Sequence, residues 1–234
     1  DPLVDGLSDL FEENNLNIFG PKKYFAQLEG SKVFAKDFMN KNNLPTAQHE
    51  QFQKIEQASD YVENKKMPIV IKYDGLAAGK GVDICESKEE AKDSIKKLLQ
   101  PGQKIIVEDF IKGIELSAIY ICNPNASKKT VGLPWIKDYK SRDEFNSGPN
   151  TGGMGAISHP FCSYKKNDIY SLNVEIEKIL IKTLVGIADD SGSNSKYNGF
   201  MYLGLMFSAN DDKPYILEYN CRMGDPETQN ILMY

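Results

Sequence analysis

Ile69-Val-Ile-Lys-Tyr-Asp-Gly-Leu-Ala-Ala-Gly-Lys-Gly-Val82 is the stretch on which the reading of the fold turns. The β-branched run after Pro68 predicts a buried strand over 68–72. It delivers Lys72 to a loop holding Gly75, Gly79 and Gly81, and a second strand follows over 82–85. Without a Cβ, glycine lets backbone N–H groups close on phosphate oxygens. Lys72 and Lys80 add positive charge at the same place. A Walker A loop needs four residues between its first Gly and its Gly-Lys, then Ser or Thr. Here three residues intervene and Gly81 follows Lys80, so this is a different phosphate loop, and it is not GxGxxG either. Taken alone, the segment also reads as a glycine-rich hairpin with a solvated lysine.

Working outward, helix and strand patterns alternate. Leu3, Val4, Leu7 and Leu10 have helical spacing, and Leu16 to Phe19 reads as a short strand. Tyr24 to Asn42 reads as one helix, with Phe25, Leu28, Phe34, Ala35 and Phe38 on one side. It stops before Leu44-Pro45, where proline disfavours continuation. Gln51 to Asn64 reads as a helix. Ser87 to Gln100 reads as another, capped by Ser87 with Glu90 three residues on. Strands are expected over 104–107 and 114–122, and residues 137–160 form a long loop rich in Gly, Pro, Asn and Ser. A long helix covers 168–190. Strands over 200–207 and 215–219 flank the turn at Asn210-Asp-Asp-Lys213. The mixture is α/β or α+β.

The 234 residues suffice for a sizeable core, in one large domain or two small ones. A net charge of −5 argues against nucleic acid as a partner, because neutralising phosphates takes clustered Lys and Arg. No run of 18 apolar residues exists to span a membrane, and the start DPLVDGLSDL lacks the pattern of a signal peptide. Cys85, Cys122, Cys162 and Cys221 are scattered without CxxC spacing, which suggests reduced cytoplasmic thiols more than a zinc site.

Three further segments carry chemistry. In Val107-Glu-Asp-Phe-Ile-Lys-Gly-Ile-Glu115 a strand ends in acidic and aromatic residues, and a new strand opens after Gly113. Such a connector between two lobes suits a purine base and its ribose; taken alone, a surface hairpin with ordinary acidic residues is the favoured reading. In Tyr215-Ile-Leu-Glu-Tyr-Asn-Cys-Arg222, Glu218 and Asn220 stand two apart on a strand and face one side, with Arg222 in phase. Two oxygen donors on one face suit Mg²⁺, which takes its remaining ligands from water and phosphate. An ordinary exposed strand face is the competing description. Gly148-Pro-Asn-Thr-Gly-Gly-Met-Gly155 and Arg222-Met-Gly-Asp-Pro-Glu-Thr-Gln229 are loops with unusual backbone freedom, each also readable as a tight turn or a helix N-cap.

Together with Leu28-Glu-Gly-Ser-Lys-Val-Phe-Ala-Lys36, these segments resemble the glycinamide ribonucleotide synthetases, or phosphoribosylamine–glycine ligases, of the ATP-grasp superfamily. They occur in the family's order over nearly the whole chain. The resemblance implies an α+β fold of two ATP-grasp lobes. The smaller would cover 47–110 and the larger 111–234 with the segment around Lys32. Residues 1–46 would be the tail of an α/β N-terminal domain and a linker helix, with the C-terminal domain absent. By resemblance, Lys32 and Lys72 contact ATP phosphates and Gly79, Lys80 and Gly81 cover them. Glu108 and Phe110 lie at the adenine and Glu115 at the ribose. Glu218 and Asn220 hold Mg²⁺ or Mn²⁺. Asp138, Lys140, Asn150, Thr151, Gly152, Gly153, Met154, Asp225 and Pro226 meet the substrates glycine and 5-phosphoribosylamine, with Arg222 and Asp225 catalytic. The implied reaction joins glycine to phosphoribosylamine through glycyl phosphate, in a cytoplasmic monomer. The chain departs from the family at Lys137-Asp-Tyr-Lys-Ser141, where Gln-Asp-His-Lys-Arg is usual, and at Glu144-Phe-Asn-Ser-Gly148, where Asp-Gly-Asp-Thr-Gly is typical.

Overall fold

The computed structural model describes residues 1–76, 81–144, 147–158, 166–192 and 194–233. The chain begins with helices α1 (Pro2–Asp5), α2 (Leu7–Glu13), α3 (Lys23–Gly30) and α4 (Lys32–Lys41). Then come β1 (His49–Phe52), α5 (Ile55–Glu63), β2 (Ile69–Tyr73), β3 (Val82–Cys85), α6 (Lys88–Leu98) and β4 (Ile105–Asp109). β5 (Gly113–Cys122), β6 (Thr130–Gly132), β7 (Ile136–Asp138), β8 (Ser141–Asp143), β9 (Ser147–Asn150) and β10 (Ala156–Ser158) follow. The chain continues through α7 (Lys166–Asp190), β11 (Gly199–Ser208), β12 (Pro214–Asn220) and α8 (Glu227–Leu232).

β1 to β4 form a four-stranded sheet in the order β1-β4-β2-β3, every pair antiparallel. Alternation along the strands sorts their side chains. Ile69, Ile71, Ile105 and Val107 turn to one face, where α5 and α6 cover them with Ala58, Val62, Ala91 and Ile95. Val70, Lys72 and Glu108 occupy the other face and look into a cleft.

The second sheet is larger, in the order β10-β7-β5-β11-β12 with β6 pairing β5. β5 and β11 run side by side from Gly113↔Ser208 to Cys122↔Gly199. Their inner residues Leu116, Ala118, Met201, Leu203 and Leu205 share a core with Phe25 and Leu28 of α3, Phe38 and Met39 of α4, and Ile176 and Leu180 of α7. The chain leaves this unit at Pro45–Thr46, where Ile216 N donates to Pro45 O at 2.8 Å and Thr46 Oγ1 donates to Ile216 O at 2.9 Å. It returns at Gly113, where a Cβ would stand 1.8 Å from Phe207 O.

Four sequence expectations are corrected. Leu16 to Phe19 makes no strand: the segment has no ladder partner, and Phe19 instead packs edge-on against the ring of Phe200. Tyr24 to Asn42 is two helices. Ser31 adopts an extended conformation between them, and its Oγ accepts from Phe34 N at 3.0 Å, starting α4. Residues 51–64 are not helical throughout, because His49–Phe52 pairs with β4 and the helix starts only at Ile55. Residues 137–160 are not one loop: β8 pairs β9, and β7 pairs β10, in ladders too short to leave an apolar alternation.

Candidate active site

The two sheets face each other across a cleft of about 440 Å³. Its large-sheet wall is built by β12, which is not regular. Gly204 pairs with Glu218 but Leu205 pairs with Ile216, so Leu217 is an extra residue, a β-bulge. Strict alternation would put Ile216 and Glu218 on the same face. The bulge slips the phase, so that Ile216 and Tyr219 both enter the core while Glu218 and Asn220 face the cleft. Gly204 leaves room for the acid, since a Cβ there would lie 3.0 Å from Glu218 Cγ. The bulge also frees the carbonyl of Leu217, which accepts from Lys72 Nζ at 3.1 Å. Arg222 lies beyond the strand. Its Nε meets Glu29 Oε1 at 2.9 Å and its Nη2 donates to Asn220 Oδ1 at 3.3 Å.

Lysines floor the cleft. Glu108, 2% exposed, sits between Lys72 Nζ at 3.1 Å and Lys36 Nζ at 3.1 Å, and Lys36 is 2% exposed as well. Burial by itself would raise the Glu108 carboxyl, but Lys72 and Lys36 outweigh it and hold it below the usual range. Burial lowers Lys36 to about 8, against the opposing pull of Glu108. Lys32 Nζ donates to Gly75 O at 2.8 Å and is likewise lowered by burial, with Glu218 opposing. Asp74 anchors the same corner, accepting from Ser31 Oγ at 2.9 Å and Val33 N at 3.1 Å.

Acids and one lysine make up the far end. Lys140 pairs with Glu115 and approaches Asp138 Oδ2 at 3.8 Å. Burial would lower Lys140, but Glu115, Glu218 and Asp138 together raise it. The Asp138 side chain is 4% exposed, its Oδ1 has no hydrogen-bond partner, and burial pushes its carboxyl up to about 6. Glu227, at the start of α8, is buried and accepts from Tyr202 OH at 2.7 Å and Ser117 Oγ at 3.0 Å.

The structure brings most of the expected residues to this cleft. Lys32, Lys72, Glu108, Phe110, Glu115, Asp138, Lys140, Thr151, Gly152, Glu218, Asn220, Arg222 and Asp225 all line it. The Glu108 carboxylate is engaged by two lysines rather than standing open. Thr151 Oγ1 donates to Lys140 O at 2.8 Å, and Gly153 packs so closely on Pro226 that a Cβ would stand 2.5 Å from its Cδ. Thus the two Gly- and Pro-bearing loops meet. Met154 is exposed beside them. Gly79, Lys80 and the side chain of Asn150 lie outside the described residues, and Gly81 is placed at the entry to β3, its carbonyl accepting from Tyr73 N at 2.8 Å. Sequence reasoning missed Lys36, Glu29 and Glu227. Lys36 was findable: it stands four residues from Lys32, on the same helical face, within an otherwise apolar surround.

Among the described residues no group of three or more His, Cys, Asp or Glu side chains makes a metal cage. The donor chemistry of Glu218 and Asn220 nevertheless fits a hard cation that shares its remaining ligands with phosphate and water.

Two sheets gripping a lysine-floored cleft, with an acid and an amide on a bulged strand, define an ATP-grasp fold. The D-alanine–D-alanine ligase from Bacillus anthracis, solved in complex with ATP, has the same fold, with a TM-score of 0.64 over 94% of this chain and 64% of that one at 17% identity. The chain belongs to the phosphoribosylglycinamide synthetase family: the model for its ATP-grasp (A) domain matches residues 30–228. The phosphoribosylamine–glycine ligase of Clostridium acetobutylicum is 42% identical over 99% of this chain and 54% of its own length. The crystal structure of the Thermotoga maritima phosphoribosylamine–glycine ligase aligns with a TM-score of 0.80 at 39% identity, over 97% of this chain and 56% of that one. The chain therefore spans about half the length of the relatives it matches.

Proposed function

We propose that this chain carries the ATP site of an ATP-dependent ligase that joins glycine to 5-phosphoribosylamine, giving glycinamide ribonucleotide, ADP and phosphate in purine biosynthesis. The cleft itself carries the reading: Lys32, Lys72 and Lys140 converge on the face that bears Glu218 and Asn220. Membership in the family, and the printed names of the relatives, support the substrates.

In this reading residues 47–110 are the smaller lobe, 111–234 with the Lys32 helix the larger, and 1–46 the end of a preceding domain with its linker. Lys32 and Lys72 hold the phosphates, and Phe110 and Glu115 take the base and ribose. Glu218 and Asn220 would hold Mg²⁺ or Mn²⁺, which neutralises triphosphate charge when bound. The glycine carboxylate attacks the γ-phosphorus of ATP, the bond to the β–γ bridging oxygen breaks, and glycyl phosphate forms as ADP leaves. The amine of phosphoribosylamine then attacks the acyl carbon and phosphate leaves. Phosphoryl transfer needs positioning and charge neutralisation more than covalent help, so lysines and Arg222 suffice and no nucleophilic Ser or Cys is required. Asp138 and Lys140, with the loops at 151–154 and 225–226, take the glycine and phosphoribosylamine. Water must be kept from the acyl phosphate. The setting is cytoplasmic.

The test is ADP release by the full-length gene product with Mg-ATP and phosphoribosylamine, with and without glycine. Release that requires glycine is the expected result. Tight Mg-ATP binding without glycine-dependent release would reject the substrates and point to Tyr139 and Ser141, where the chain departs from its family.

A further inference from the structure

Lys36 is a buried ammonium that the chemistry above does not use. Its Nζ donates to Thr46 Oγ1 at 2.6 Å and meets Glu108 Oε1 at 3.1 Å, and only 2% of the residue is exposed. Both contacts are made inside the protein, and the nearly buried side chain only edges the floor of the cleft. Its partners are informative. Glu108 spends its other oxygen on Lys72, which also donates to Leu217 O. Thr46 in turn donates to Ile216 O. Two consecutive carbonyls of β12, immediately before Glu218, are therefore held by one polar group that reaches from α4 through the small sheet.

The charges decide what this group does. Glu108 and Lys72 alone would close a neutral pair, and an ammonium so compensated attracts anions weakly. Lys36 draws on the same carboxylate from the opposite side, so the trio carries one net positive charge. All three line the cleft, and the charge comes nearest its surface at Lys72, the most exposed of them at 8%. Burying three ionic groups is costly unless each is paired, and removing one leaves the remainder unbalanced. A fold needing only to fill this space would use an apolar side chain, as Phe34, Ala35 and Phe38 do around it on α4.

We propose that Lys36 is a positioning residue for the nucleotide, sharing Glu108 with Lys72 so that the charge of Lys72 stays available to phosphate, and tying that lysine through Thr46 to the strand that bears Glu218. The proposal rests on the nucleotide-site reading above.

The experiment measures dissociation constants by calorimetry for Mg-ATP and for inorganic tripolyphosphate, which carries the phosphate charge without a base. It compares wild type, Lys36→Met, Lys36→Arg and the double variant Lys36→Met/Glu108→Gln, each first verified as folded by circular dichroism. Lys36→Met should weaken both ligands about tenfold or more, as expected for loss of a unit charge near the anion. Lys36→Arg should keep most of the affinity. The double variant restores the net charge to that of wild type and should bind both ligands more tightly than Lys36→Met alone. A merely structural lysine predicts the reverse, because a second lesion in the same core would loosen it further. Wild-type affinity in Lys36→Met, or a double variant weaker than the single one, overturns the proposal. Should wild type bind tripolyphosphate but not Mg-ATP, the same ranking with tripolyphosphate still supports it while the nucleotide reading fails. Binding of neither ligand by wild type overturns both.

Discussion

Asp138 keeps its charge against its surroundings, and that has a measurable signature. Its carboxyl in the folded chain titrates near 6, pushed up by burial, above the ordinary value of about 4. The folded state therefore holds this proton more tightly than the unfolded state does. The stability that follows is fully present below about pH 4 and is lost as pH rises through about 6. Asp138→Asn cannot ionise, so it should flatten this part of the stability profile and gain about 1–2 kcal/mol at pH 7.5 relative to pH 4.5. Urea midpoints at the two pH values check this, and an equal change at both would sink it. Glu218→Ala should abolish ADP release while leaving the thermal transition in place, because its side chain faces the cleft and contributes nothing to the core; wild-type turnover in that variant would remove it from the metal site. Residues of this kind were legible where period and chemistry coincide, as at Glu218 and Asn220. Lys36 was legible only in part: its spacing puts it on the helical face of Lys32, but a lysine on a helix reads as solvated until its neighbours are known.

At the scale of elements, apolar alternation gave away the strands it had built: β2, β3, β5, β11 and β12 all lie where Val, Ile, Leu and Phe cluster. β1 is His-Glu-Gln-Phe and has no such signal; its pairing with β4 makes it a strand. The break between α3 and α4 rests on one hydroxyl. Ser31→Ala removes the acceptor for Phe34 N and the donor to Asp74, and should cost about 1 kcal/mol, a Tm shift of roughly 2–4 °C. An unchanged Tm would mean that water replaces the cap. Gly113 is a harder constraint, since any Cβ meets the backbone of β11. Gly113→Ala should cost about 2–4 kcal/mol in a urea titration, as expected where a strand must shift; a loss below 0.5 kcal/mol, the usual range of a surface change, would show that β5 moves freely there. The bulge in β12 was hidden for a different reason. Ile216-Leu217 before Glu218 is a run of apolar residues in a strand, and only the register against β11 shows which one is the extra residue.

For the whole molecule, the motifs in their order carried more than periodicity did, because the family's architecture comes with them. What they left out was how the halves are joined. Residues 49–109 form a sheet with its own apolar core, separate from that of the large sheet. The two ends of this stretch lie side by side: His49 pairs with Glu108, and Asp109 N donates to Gln48 O at 2.9 Å. In topological terms it is a cassette with its entrance and exit at one doorway. A chain whose residues 48–109 are replaced by a few glycines and serines should keep the native circular dichroism of β5, β11 and α7 and a cooperative melt, while losing all affinity for phosphates. The same doorway makes the cassette a natural place to cut and rejoin the chain. A nick in the exposed turn at Pro101–Gly102 falls between α6 and β4, outside every strand pairing, so the two pieces should stay held together by the ladders of β4 with β1 and β2.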